Sequence, residues 1–247
     1  MADGLLLLHA FPLDASMWAP QLAARQGEVA VVAPNFPGFG DAPLAGEVST
    51  MDEAAERAEA EVAASGLDRV VVCGLSMGGY VAFAFWRKFR ARVAGLVLAN
   101  TRAGADDEAG RERRRALAQR LRAEGNAFLV DSPPPLLSSD PPGELWSHVK
   151  SIIAAQSAEA LAAASLGMAE RPDSTVDLPG IDVPTLVITA SADTLIRPEA
   201  TSPMADQIPR ADLEVIEGAG HLSNLEAPQE FNRLLLTHLI RCGVLSG

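Results

Sequence analysis

The segment Val70-Val-Val-Cys-Gly74-Leu-Ser76-Met-Gly78-Gly-Tyr80 constrains the fold of this chain more than any other. Its β-branched start predicts a buried strand that breaks at Gly74, and the residues from Gly79 to about Phe89 predict a helix. Between them lies Gly74-x-Ser76-x-Gly78, and in a strand–turn–helix setting this spacing forms a nucleophile elbow. So sharp a turn presses the positions two before and two after the serine together, so both are expected to lack a Cβ. The serine is expected to sit strained at the apex, with Oγ projecting and the next backbone N–H aimed at the same point.

The rest of the chain must supply a sheet for that turn. At 247 residues it suits one large domain, or a core with an inserted subdomain. A net charge of −12 argues against nucleic acid and anionic membrane surfaces as partners. The start, Met1-Ala-Asp-Gly-Leu-Leu-Leu-Leu-His9, has no basic region and only a short leucine run, too little for a signal-peptide core or a membrane span. Cys73 and Cys242 are the two cysteines, which gives no disulfide framework. A cytoplasmic location is the expectation.

Leu5–Leu8 predicts a first apolar strand ending at His9-Ala10-Phe11-Pro12, followed by a helix around Trp18–Arg25 and a strand at Val29–Ala33. Pro34 to Pro43 is dense in turn formers and predicts a loop. Ser49-Thr50-Met51-Asp52-Glu53 has the form of a capping box, opening an Ala/Glu-rich helix that Gly66 ends. Strands at Arg69–Cys73 and Val93–Ala99 complete a strand–helix alternation, which implies a parallel sheet covered on both faces. Residues 101 to about 180 then hold no convincing strand. They predict a charged helix over about Asp106–Glu124, breakers at Ser132-Pro-Pro-Pro135 and Asp140-Pro-Pro-Gly143, and helices at Leu145–Ala155 and Ala158–Ala169. The alternation resumes with Thr185–Thr189, a helix near Pro198–Ile208, a strand at Leu213–Ile216 and a helix at Pro228–Cys242 with Pro in its first turn. The expected architecture is a mostly parallel, doubly wound α/β sheet of about six strands. Residues 1–100 and 181–247 form its core, and residues 101–180 an inserted helical lid.

A serine nucleophile needs a base, and the base an orienting acid. His238 falls beside the apolar stripe of the last helix and reads as packing, and His148 lies in the insertion. His9 ends the first strand and is expected to hydrogen-bond locally. His221 stands in Glu217-Gly-Ala-Gly-His221-Leu, after the last strand, where glycines let the loop fold back across the strand ends, and it is the expected base. For the acid, Asp193 follows the strand Thr185–Thr189, at the edge where ligands of open α/β sheets gather. Asp182 and Asp212 lie at the wrong strand ends and Asp206 within a helix. The position after the preceding strand is occupied by Asn100-Thr101, and Asp106 and Asp107 read as the acidic first turn of a helix.

The order Ser76…Asp193…His221 is the nucleophile–acid–base order of the α/β-hydrolases. The chain resembles the compact, single-lid members of that family, which include small carboxylesterases and enol-lactone hydrolases. His9-Ala-Phe-Pro12 resembles the family's His-Gly-x-Pro oxyanion loop, Asn35-Phe-Pro-Gly-Phe-Gly40 its following loop, and Gly-Ala-Gly-His221 its base loop. Ala10 departs from the usual glycine, and Asp41 stands where serine is common. The resemblance implies oxyanion donors at the backbone N–H groups of Phe11 and Met77. It also implies a serine hydrolase of small carboxylic esters or lactones, working through an acyl-enzyme without cofactor. Two other classes stay open: a lyase using the same triad as a base, and a slow-turnover ligand receptor. A homodimer is not excluded. No residue spacing suggests a metal site, and no G-x-G-x-x-G follows a strand. The run Arg111-Glu-Arg-Arg-Arg115 could bind a substrate carboxylate, but acids are interspersed and Leu117 and Leu121 supply the inward face, so it reads as a solvated face; Trp146, Ile152 and Ile153 fit either a pocket wall or internal packing of the insertion.

Overall fold

A computed structural model describes residues 2–24 and 29–245. The predicted sheet is present, with six strands: β1 (Asp3–Leu8), β2 (Ala30–Val32), β3 (Arg69–Leu75), β4 (Val93–Ala99), β5 (Thr185–Ala190) and β6 (Ala211–Ile216). All neighbours are parallel and the order is β2-β1-β3-β4-β5-β6. Every residue of β4 is buried, as are all but the first of β1 and β3, so both faces of the sheet centre are covered. The edges differ from the all-apolar expectation. In β6 four of the six residues are exposed, and Asp212 and Glu214 are among them, as befits a charged edge.

The helices are α1 (Ala19–Ala24), α2 (Met51–Ala64), α3 (Met77–Lys88), α4 (Glu108–Glu124), α5 (Ala127–Asp131), α6 (Leu145–Ala155), α7 (Ala158–Glu170), α8 (Pro198–Thr201), α9 (Pro203–Gln207), α10 (Ser223–Glu226) and α11 (Pro228–Arg241). Arg25, at the end of the first predicted helix, lies outside the described residues. The capping box forms as written: Thr50 N–H donates to Glu53 Oε2 at 2.8 Å, and Glu53 N–H to Thr50 Oγ1 at 3.1 Å. A helix predicted as one element near Pro198–Ile208 is instead two short ones, because Pro203 starts a new turn.

Between β4 and β5 the described residues contain helices and a short 3₁₀ turn but no strand. Helices α4 and α7 pack against each other, and α6 meets α7 at a corner of 95°. No single described helix is long and apolar enough to cross a membrane.

The strand order matters for the site. The chain runs from β1 outward to β2, then returns to β3 on β1's other side, so β1 and β3 flank a topological switch with their carboxyl ends adjacent. The loop after β1 and the turn after β3 therefore meet, with Leu8 registered against Gly74.

Candidate active site

Ser76 caps α3 with φ 55° and ψ −114°, a left-handed conformation that costs a non-glycine residue of order 1–3 kcal/mol. Neighbouring contacts hold it there. Ser76 N–H donates to Ala99 O at 2.9 Å, and Thr101 Oγ1 donates to Ser76 O at 2.8 Å, tying the turn to the end of β4. The two glycines prove necessary for different reasons. A Cβ on Gly74 would lie 2.2 Å from Gly78 O, as the turn geometry predicts. A Cβ on Gly78 would instead lie 2.0 Å from Leu8 O, so this glycine admits β1 rather than Gly74.

Asp193 and His221 come together at the same edge. His221 Nδ1 lies 2.8 Å from Asp193 Oδ2, and both side chains are fully buried. The other carboxylate oxygen accepts from the backbone N–H groups of Leu195 and Ile196, each at 2.9 Å. Burial pushes the Asp193 pKa up, but the hydrogen bonds from His221, Asn100 and Ile196 outweigh it and hold the carboxyl below its usual range. An acceptor-only carboxylate fixes the Nδ1–H tautomer and turns Nε2 outward as an acceptor. That Nε2 is buried and has no hydrogen-bond partner among the described residues, Ser76 Oγ included. Such contacts commonly close only when substrate is bound.

Asn100 takes a part the sequence reading missed. In the sequence it only marks the place where a competing acid would stand. Here it adopts φ 46°, donates from Nδ2 to Asp193 Oδ2 at 3.0 Å, and accepts from Ser223 Oγ at 2.6 Å. It holds the acid from the neighbouring strand. Glu226 does the same for the His221 loop, accepting from Gly220 N–H at 2.7 Å and from Ser138 N–H at 2.6 Å. Gly220 is required by this approach: a Cβ there would lie 2.3 Å from Ser138 N.

The N–H groups of Phe11 and Met77 donate to no acceptor among the described residues. His9 organises the loop that carries Phe11. Its Nδ1–H donates to Ala10 O at 3.2 Å, its Nε2 accepts from Phe36 N–H at 3.0 Å, and its ring stacks on Phe36 at 4.0 Å. The expected local hydrogen bond is there, and with it a link to the second loop. In that loop Asn35 Nδ2 donates to Asp41 Oδ1 at 2.9 Å.

Ser76 and Phe11 line a cavity of about 900 Å³ together with Leu117, Pro134 and Met168, from the segment between β4 and β5, and Leu195 and Ile196 from the Asp193 loop. Trp146, Ile152 and Ile153 do not line it; Ile152 and Ile153 belong to the main hydrophobic core, Trp146 packs against it, and their helix meets α5 and the turn Ala15–Trp18. The arginine run is only half a solvated face. Arg111 and Arg115 pair with surface glutamates, whereas Arg113 and Arg114 face the cavity. Asp106 and Asp107 also part company. Asp107 caps α4, accepting from Gly110 N–H at 2.7 Å. Asp106 is buried and gripped by Arg102, Arg114 and Arg171.

His148 is exposed, and His238 is buried as a packing residue. Cys73 is buried in the strand before the turn, and desolvation pushes its thiol pKa far up, so it is no nucleophile. No group of three His, Cys, Asp or Glu is arranged to hold a metal among the described residues.

Two further buried histidines, His9 and His238, set an acid limit. Burial lowers His9 to about 4, against its backbone hydrogen bonds; burial, helped by the nearby Arg241 charge, lowers His238 to about 4. Both groups bind fewer protons when folded than unfolded. The stability they contribute is thus complete above about pH 6.5 and is lost as the pH falls towards 4. Each shift corresponds to about 3 kcal/mol. The urea midpoint should be flat above pH 6.5 and fall steeply below it, and His238→Gln should remove about half of that fall.

Known proteins share this fold. The Alpha/beta hydrolase family matches residues 5–234. The 3-oxoadipate enol-lactonase 1 of Acinetobacter baylyi is 30% identical over 234 residues, covering 93% of this chain and 86% of the relative. A thermophilic esterase from Thermogutta terrifontis, solved with malate bound, superposes with a TM-score of 0.93 at 39% identity, over 98% of this chain and 92% of that one. The enol-lactonase from Burkholderia xenovorans superposes at 0.85 with 25% identity, over 97% and 92%. With the sheet order, the strained turn at Ser76 and a family match over nearly its whole length, this chain belongs to the Alpha/beta hydrolase family.

Proposed function

We propose that the protein is a serine hydrolase of small carboxylic esters or lactones, with Ser76 as nucleophile, His221 as base and Asp193 as the orienting acid. One observation carries the reading. A buried Asp193–His221 pair leaves Nε2 without a partner at the strand edge where the turn presents Ser76. The esterase and enol-lactonase relatives support the substrate class. In this mechanism His221 Nε2 takes the Ser76 proton as Oγ attacks the carbonyl carbon. The N–H groups of Phe11 and Met77, and the amino end of α3, stabilise the oxyanion. The imidazolium, stabilised by Asp193, gives its proton to the leaving alkoxide. Water then attacks the acyl-enzyme through the same base and releases the acid. Residues 101–180 act as a lid that bounds the acyl or alcohol group, through Leu117 and Met168. No cofactor is used.

The test is a panel of short- to medium-chain aryl esters and lactones. An activated aryl ester should give a burst of about one equivalent of phenol when deacylation is the slower step, and a fluorophosphonate should label Ser76 stoichiometrically. A receptor would stall after about one turnover. A panel with no turnover and no burst would overturn the hydrolase reading.

A further inference from the structure

The protein carries a net charge of −12, yet the cavity at Ser76 is bordered by positive charge. Arg102, Arg113, Arg114 and Arg197 line it, against Asp106 and Glu199. Asp106 cannot balance them, because it is already committed. Its oxygens take Arg114 Nε at 2.6 Å, Arg171 at 2.9 and 3.0 Å, and Arg102. Burial raises its pKa, but the hydrogen bonds and charges of Arg171 and Arg114 prevail and keep it ionised. One buried carboxylate thus fixes three guanidinium groups and leaves surplus positive charge beside the cavity.

Arg113 and Arg197 are different, since neither makes an ion pair or a side-chain hydrogen bond among the described residues. The contrast on α4 is sharp. Arg111, Arg114, Arg115, Arg120 and Arg122 each have a carboxylate partner, and the arginine without one is Arg113. Its place explains where it points. Gly110, Arg113, Arg114 and Leu117 all line the cavity, and their spacing of three, four and seven marks one face of the helix. Arg197 reaches the cavity from a different segment, four residues after Asp193 on the same loop. Glu199 also lines the cavity, and among the described residues it pairs with neither arginine.

We propose that Arg113 and Arg197 bind a second, free carboxylate on the substrate, so that this protein prefers monoesters or lactones of carboxylate-bearing molecules. This rests on the hydrolase reading above and narrows its substrate class. Guanidinium groups suit the task because their planar donors match a carboxylate's two oxygens, and they stay charged at any working pH. Both side chains are exposed, so the pairing should be sensitive to salt.

Calorimetry on the intact protein tests binding without relying on turnover. Adipate should bind at least about tenfold more tightly than hexanoate, a gap on the order of one charge-assisted hydrogen bond. The gap should shrink in 0.5 M salt and close to within about twofold in the Arg113→Gln/Arg197→Gln variant. A kinetic pair, the 4-nitrophenyl monoester of adipic acid against 4-nitrophenyl hexanoate, should show the same preference, and the double variant should lose it through KM of the carboxylated ester. No measurable adipate binding, equal affinity for the two acids, or a preference that survives in the double variant would overturn the proposal. Adipate binding with neither ester cleaved would instead sink the hydrolase reading and leave the carboxylate site standing. Cleavage of the neutral ester without any preference for adipate would do the reverse.

Discussion

Replacing Ser76 by alanine is expected to lower ester turnover at least about 10³-fold, replacing His221 by alanine to do the same, and the double variant to be little worse than either. The expectation follows from the proposed roles. Once Oγ is absent, a base has no proton to take; once Nε2 is absent, Oγ is an ordinary alcohol. Residual turnover would then come from substrate held against the N–H groups of Phe11 and Met77. Steady-state kinetics on one activated aryl ester suffices for the measurement. Losses that multiply in the double variant would mean that the two residues act separately. The fold should survive both changes, because neither side chain anchors the sheet: Ser76 is held by its backbone, through Ala99 and Thr101.

The second large effect is on stability. Asp106→Asn removes the charge that compensates three arginines, one of which, Arg171, is itself buried over the ring of Tyr80 at 4.1 Å. Breaking a buried pair from one side typically costs about 3–5 kcal/mol, because the partner charge is left unmatched. Arg102 and Arg114 are partly exposed and water can take up part of their loss, so a value near the lower end, about 3 kcal/mol, is expected. The adjacent substitution is the control. Asp107→Asn keeps a competent cap and should change stability by a few tenths of a kcal/mol or so. Paired denaturation curves decide it, and equal effects at the two positions would contradict the structure's division between them.

That division also shows what can be read from the chain and what cannot. The sheet was legible because its central strands are unbroken apolar runs, and β1, β3, β4 and β5 lie where those runs lie. The turn was legible because glycines at 74 and 78 are demanded by backbone contacts under 2.5 Å. Asp193 and His221 were legible from position, each following a strand into a loop at its carboxyl end. The Asp106 cluster was not. Its arginines come from positions 102, 114 and 171, and only the packing of α4 on α7 brings them to one carboxylate. Nothing local separates Asp106 from Asp107, which stands beside it and caps the helix. Asn100 was hidden for a related reason. Its amide acts through a residue 93 positions away, so the position could be flagged as near the acid but its role could not. The same holds for Gly167, which reads as an ordinary small residue in a helix until a Cβ there is found to fall 1.7 Å from Ser49 O.

The central claim, that Ser76 carries the acyl group during turnover, has a direct measurement. An activated aryl ester is mixed with the protein, quenched in acid during the burst, and analysed by intact and peptide mass spectrometry. One added acyl mass is expected on the peptide containing Ser76, decaying as substrate is exhausted, and none in the Ser76→Ala variant. Turnover without an acyl mass under any burst-producing condition would contradict it and favour a lyase that uses the same residues only to move a proton.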